Sequence, residues 1–305
     1  GSRGRNNYGA RNANPPIVIN NPDYNFGMQF GTGTGTTLIE NPLVNPNFGP
    51  VILAENISFS NYKSMQLGVV RRLLNGWQSQ VSYTWSKCED NGSGSWGLDR
   101  GTNFQNPYRP QDDVGRCAFD LRHNVVVNGM YLLPFTGNQF VEGWQISGIF
   151  NYRSGLPNNV TDGIVRAFNN QGSSNRPNYV PNAPGCNGNP VLPESDRFPV
   201  GSNPRWINTA CFQLPRLGEL GNVPRNFVDG PNYMNVDAAI MKNLSLGTTS
   251  IQLRAEIFNL LNRTNFGVPG GGLFAGSGAV SPTAGTITSI VGTARQLQFG
   301  MKVTF

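Results

Sequence analysis

Residues 76–87 read GWQSQVSYTWSK, and polarity alternates along the stretch. Trp77, Val81, Tyr83 and Trp85 share one parity, with Ser79 the single lapse, while Gln78, Gln80, Ser82, Thr84 and Ser86 share the other. A side-chain period of two belongs to a β-strand with one apolar face. Asn75-Gly76 stands immediately before it, and this pair favours a two-residue hairpin because both residues tolerate positive φ. The preceding run NYKSMQLGVVRRLL, 61–74, is therefore the partner strand, with Met65, Leu67 and Val69 on one face.

The same period recurs downstream. HNVVVNGMYLL, 123–133, groups Val125, Val127, Tyr131 and Leu133. GWQISGIFNYRS, 143–154, groups Trp144, Ile146, Phe150 and Tyr152. YMNVDAAIMKNLSL, 233–246, offers Met234, Val236, Ala238 and Ile240, and IQLRAEIFNLLN, 251–262, offers Ile251, Leu253, Ala255 and Ile257. The chain closes on QLQFGMKVTF, 296–305, with Leu297, Phe299, Met301, Val303 and Phe305 on one parity. The sequence thus predicts seven strands.

Their connections alternate in length. Asn75-Gly76, 134–142 and 247–249 are short, whereas roughly 89–122, 154–232 and 263–294 are long. Long structureless loops are uncommon inside a compact domain. Recurring at every second connection, they belong at one end of an up-and-down sheet, the asymmetry of an outer-membrane barrel. The expected fold is all-β: an antiparallel up-and-down transmembrane β-barrel, present as an incomplete wall of about seven strands with long extracellular loops. Residues 1–56, rich in Asn, Pro and Gly, are expected to be an extracellular loop segment, and 57–305 the C-terminal part of the barrel.

Composition agrees. Charged residues make up 13% of the chain, against roughly 25% in soluble domains, and the polar parities carry Gln, Ser, Thr, Asn and Gly. Trp77, Trp85, Trp144, Tyr152 and Phe305 fall near strand ends, where aromatic girdles meet lipid headgroups. A soluble sandwich gives the same period, so the alternation alone leaves open what covers the apolar face. The net charge is +6, but Lys and Arg are scattered, with no run longer than Arg71-Arg72. No nucleic-acid-binding pattern accompanies them, and such a partner is not expected. The single histidine, His123, starts a strand and is read as a boundary residue. No nucleophile–base or paired-carboxylate arrangement is present, so neither an enzyme nor a bound cofactor is expected.

The final segment resembles the C-terminal signal read by the barrel-assembly machinery, filled here by Gln298, Gly300, Val303 and Phe305. IQLRAEIFNLLNRTNFG, 251–267, resembles the penultimate-strand motif of TonB-dependent receptors: Arg254-x-Glu256, then Phe258-Asn259, then Asn262-x-x-Asn265-Phe266. QVSYTWSK, DLRHNVVVNGMYLLPF, GWQISGIFNYRSGLP and NYMNVDAAIMKN resemble the Oar-like subgroup. The resemblance covers roughly 58–305. It implies the outer membrane of a Gram-negative-type bacterium and energised uptake of a chelated metal, vitamin, sugar or peptide. TonB would act through a plug region and TonB box that these residues lack. The alternative is a structural or adhesion barrel without energy-coupled transport.

Gln252, Arg254 and Glu256 lie on the polar parity and are lumen-facing candidates, either as plug or ligand contacts or as a wall ion pair. Four cysteines allow three pairings, and sequence alone does not choose. The neighbour pairs Cys88 with Cys117 and Cys186 with Cys211 suit an oxidising surface, the first clamping a loop neck and the second pinning a subloop. Asp112, Asp113 and Asp120 lack calcium-loop spacing and are expected in a solvated loop. GTGTGTT, 31–37, reads as a flexible loop, having no lysine for a phosphate site.

Overall fold

The alternation at 76–87 carries across one sheet. The computed structural model describes residues 1–12, 45, 47–48, 52–93, 104–106, 109–164, 166, 175–216 and 219–305. Its long strands are β1 (Ser2–Asn12), β2 (Ile52–Leu74), β3 (Trp77–Asp90), β5 (His123–Leu132), β6 (Trp144–Arg153), β11 (Tyr233–Leu246), β12 (Thr249–Phe258) and β13 (Gln296–Thr304). Two-residue strands punctuate the connections: β4 (Gly115–Arg116), β7 (Pro157–Asn158), β8 (Asn178–Tyr179), β9 (Phe212–Gln213) and β10 (Val228–Asp229). The long strands stand in the order β1-β2-β3-β5-β6-β11-β12-β13, each antiparallel to its neighbours. The up-and-down wall read from the sequence is therefore present. The β2–β3 turn places Asn75 at φ 53° and Gly76 at φ 78°, the left-handed pair whose twist matches a tight hairpin.

One strand was not visible in the sequence. β1 lies inside the segment 1–56, expected to be a loop, and raises the long strands from seven to eight. Its residues, SRGRNNYGARN, carry no apolar alternation. It pairs from Ser2 opposite Tyr62 to Asn12 opposite Ile52, along the far half of β2. β2 is 23 residues long, well beyond the ~9–11 that cross a bilayer, so this half extends past the apolar band and needs no greasy face. The stretch 31–37 lies outside the described residues.

Register joins the predicted apolar sets into one surface. Trp77 stands opposite Tyr131, Val81 opposite Val127 and Tyr83 opposite Val125. The rows continue through Val127–Phe150 and Tyr131–Ile146, then Phe150–Val236 and Ile146–Ile240, Ile240–Ala255 and Ala255–Phe299. Among the described residues no second layer covers this surface: Leu67 is 55% exposed and Phe299 77%. In water each such side chain forgoes about 1.5–3 kcal/mol of burial, a cost that hydrocarbon removes. The ten residues of β5, at ~3.3 Å each and a tilt of ~45°, cover about 23 Å, close to the ~25 Å apolar band.

The buried core sits elsewhere. Val160, Cys186, Ile207, Cys211, Phe212, Val223, Val228, Leu273, Phe274 and Ala284 pack together, and all belong to the β6–β11 and β12–β13 connections. These loops form a cap at one end of the wall, and the short turns lie at the other.

Candidate functional site

The face opposite the apolar rows is polar, and on β11 and β12 its side chains are linked. Asn243 lies opposite Gln252, and Met241 opposite Arg254. Gln252 Nε2 donates to Asn243 Oδ1 at 2.9 Å, and Arg254 Nε donates to Gln252 Oε1 at 2.9 Å. Arg254 Nη1 lies 3.9 Å from Glu256 Oε1. The three lumen-facing candidates thus share one face and one chain of contacts, which climbs β12 from the turn end toward the cap. All are accessible, so their charges remain hydrated and exchangeable with a polar partner.

The cap is held by buried arginines that tie distant loops. Arg225 donates through Nη2 to the backbone oxygen of Asp90 at 3.1 Å and pairs with its carboxylate, and its Nε donates to the Asp113 carbonyl at 3.1 Å. Arg176 pairs with the Asp113 carboxylate, and its Nε donates to the Val223 carbonyl at 2.7 Å. Burial pulls the Arg176 guanidinium below its ordinary pKa, and Asp113 holds it up. Gln105 completes the seam by donating to the Gly221 carbonyl at 2.8 Å and accepting from the Arg176 amide at 3.2 Å. Gly115 lets the two loops meet: a Cβ there would stand 2.5 Å from the Arg225 carbonyl oxygen.

Both expected cysteine pairs are bonded. Cys88–Cys117 has Cα atoms 5.4 Å apart and joins β3 to the neck of the β3–β5 loop. Cys186–Cys211, at 4.8 Å, lies within the buried cap core. Asp90 lies near the first pair, but disulfide sulfurs offer no thiolate and the carboxylate belongs to Arg225, so this trio is not a metal site.

A family model described as an outer membrane beta barrel domain matches residues 1–298. The chain belongs to that family. No curated protein and no solved structure matches it. The uncovered apolar rows form one face of this outer membrane beta barrel domain, and the linked polar residues lie on the opposite face.

Two expectations about the barrel domain's loops change. Asp113 and Asp120 are buried rather than solvated. Asp120 Oδ1 accepts from the Cys88 amide at 2.9 Å, and its Oδ2 accepts from Arg116 and Arg122, each at 3.1 Å. Arginines supply the compensation that lets carboxylates leave water. Asp112 stays at the surface, 2.7 Å from Arg109. His123 does begin β5, and its Nδ1 lies 2.9 Å from the Tyr83 hydroxyl at the loop-end rim.

At the turn-end rim of the barrel domain, Trp77 and Tyr131 are cross-strand partners. Lys242 falls on the apolar parity opposite Trp144, where a charge is costly. The β5–β6 turn folds over it. Lys242 Nζ donates to the Gln139 carbonyl at 2.6 Å and to the Glu142 carbonyl, and lies 5.5 Å from the Trp144 ring centre. Trp144 Nε1 in turn donates to the Phe140 carbonyl at 3.2 Å. Of the C-terminal signal residues, Gln298 and Gly300 stand on the polar face opposite Glu256 and Arg254, and Val303 on the apolar face opposite Ile251. Phe305 follows the last strand and is fully exposed. Sequence reasoning missed Asp90, Arg176, Arg225 and Lys242. An arginine–aspartate pair separated by 135 positions leaves no local signal.

Proposed function

We propose that this chain is the C-terminal part of the barrel of a TonB-dependent, Oar-like receptor that takes up a scarce ligand, such as a chelated metal, vitamin, sugar or peptide. The observation that carries this reading is the Asn243–Gln252–Arg254–Glu256 chain along the polar face of the penultimate strand. A hydrated series of hydrogen-bonding groups suits a lumen wall against which a plug rests and moves. It also contains the Arg-x-Glu pair on which the family resemblance depends.

In this reading the loops face the cell exterior and the cap is the mouth at which ligand is gathered. TonB acts through the plug region of a longer parent protein. The assembly machinery engages Gln298, Gly300, Val303 and Phe305. The chain performs no covalent chemistry and needs no cofactor. The second reading, an adhesion or structural barrel, draws support from the buried ties between cap loops, which suit a fixed binding surface. Uptake of labelled candidate ligands by cells expressing the parent gene, with and without TonB, separates the two. The receptor reading expects uptake that needs TonB and falls when Arg254 and Glu256 are both replaced by alanine. Surface binding that is indifferent to TonB would instead favour the adhesion barrel.

A further inference from the structure

Asp162 is the one buried carboxylate among the described residues for which both oxygens lack a hydrogen-bond partner. It is 0% exposed. Its backbone is fixed, because the amide donates to the Asn175 carbonyl at 2.9 Å and Thr161 bridges to Gly272. The charged groups acting on the carboxylate are Arg166 and Arg176, from its own loop. The segment of the β12–β13 connection packed against it, 271–274, brings only glycines, leucine and phenylalanine. Beyond Arg176 stands Asp113, from the β3–β5 loop, and Arg225 acts on Arg176 as well. Two neighbouring cations argue against a bound metal ion, so the chemistry that fits the site is a proton.

We propose that Asp162 is the proton site of a latch in the cap: protonated, it leaves Arg176 to Asp113 and the β3–β5 and β6–β11 loops stay joined; ionised, it competes with Asp113 for Arg176 and loosens that tie. The proposal concerns the cap alone and stands whether or not the barrel transports anything. Burial is the dominant influence on the carboxyl and pushes it from its ordinary 3.8 up to about 7, against the opposing pull of Arg166 and then Arg176. The sign follows. The closed cap retains a proton that the open cap releases between these two values, so closure is strongest in acid, weakens as pH rises through the window, and levels off above about 7.

Hydrogen exchange on the folded full chain in lipid vesicles tests the latch. After correction for intrinsic rates, opening of the segments holding Gln105, Asp162 and Arg176 is expected to rise by up to about tenfold per pH unit between about pH 5 and 7, then plateau. Asp162→Asn, a neutral isostere, is expected to hold those segments closed at every pH. Asp113→Asn removes the competitor for Arg176 and is expected to move the transition to lower pH. A flat profile in the native chain, or an unchanged slope in Asp162→Asn, overturns the latch. If the asparagine variant does not fold, infrared spectra of the native chain decide. A protonated carboxylic-acid band at about pH 6, lost by about pH 8, supports it, and its absence refutes it.

Discussion

Arg225 and Asp90 are 135 residues apart in sequence, yet the guanidinium of one is paired with the carboxylate of the other inside the cap. Asp90 ends a wall strand, and Arg225 lies deep in the longest loop, so this pair fixes the cap to the wall. Removing one partner of a buried pair leaves the other charged and uncompensated, at about 3–5 kcal/mol. Asp90→Asn is expected to open the 219–229 segment to protease while the long wall strands β3, β5, β6, β11, β12 and β13 keep their protection. Replacing both residues with apolar side chains of similar size is expected to recover most of the loss, read as the protease concentration needed for half cleavage.

The two disulfides close loops of 29 and 25 residues. In the chain-entropy account each contributes about 3.5 kcal/mol by restricting the open state. Cys186→Ser with Cys211→Ser is expected to melt the cap at lower temperature without unfolding the wall. Cys88→Ser with Cys117→Ser is expected to loosen the β3–β5 neck. Peptide mapping without reductant is expected to recover these two pairs, and crossed pairs or alkylated native thiols would contradict the structure.

Lys242 makes a narrower prediction. Its ammonium holds the β5–β6 turn by two carbonyl contacts. Lys242→Met keeps the stem but removes the donors, and each carbonyl then loses a charge-assisted bond of about 1.5–3 kcal/mol. Faster hydrogen exchange at 138–143 and a changed Trp144 fluorescence are the expected readouts, with the cap unaffected.

Much of the wall is legible in the sequence. The alternation at 76–87, the Asn75-Gly76 turn and the long–short rhythm of connections are local properties, and local properties survive into the fold. β1 was not legible because its half of the sheet lies beyond the apolar band, where pairing uses backbone groups and imposes no side-chain period. The cap was illegible for a different reason. Its core gathers Val160, Phe212 and Leu273 from two separate connections, and its charges are matched across more than a hundred positions, as with Arg116 and Asp229. Asp113 reads as solvated because its partner Arg176 is 63 positions away, and Asp120 because its near neighbours Arg116 and Arg122 give no sign in the sequence that all three leave water together.

Placing a charge on either face of β5 probes the barrel energetically. Val127 lies in an apolar row, and Asn128 is its neighbour on the polar face. Arginine near the middle of the lipid-facing side costs about 2–4 kcal/mol in such barrels. Val127→Arg is expected to lower stability by that amount in reversible unfolding from vesicles, and Asn128→Arg by less than about 1 kcal/mol.

The central claim is that one side of the wall meets lipid and the other meets water. Spin labels placed singly along β5, from Asn124 to Leu132, in chain reconstituted into vesicles test it most directly. Oxygen dissolved in the bilayer is expected to relax labels at 125, 127, 129 and 131, and a water-soluble nickel chelate those at 124, 126, 128 and 130. Labels at 125 and 127 shielded from both reagents would mean that a second layer covers the apolar rows, and the barrel assignment would be wrong.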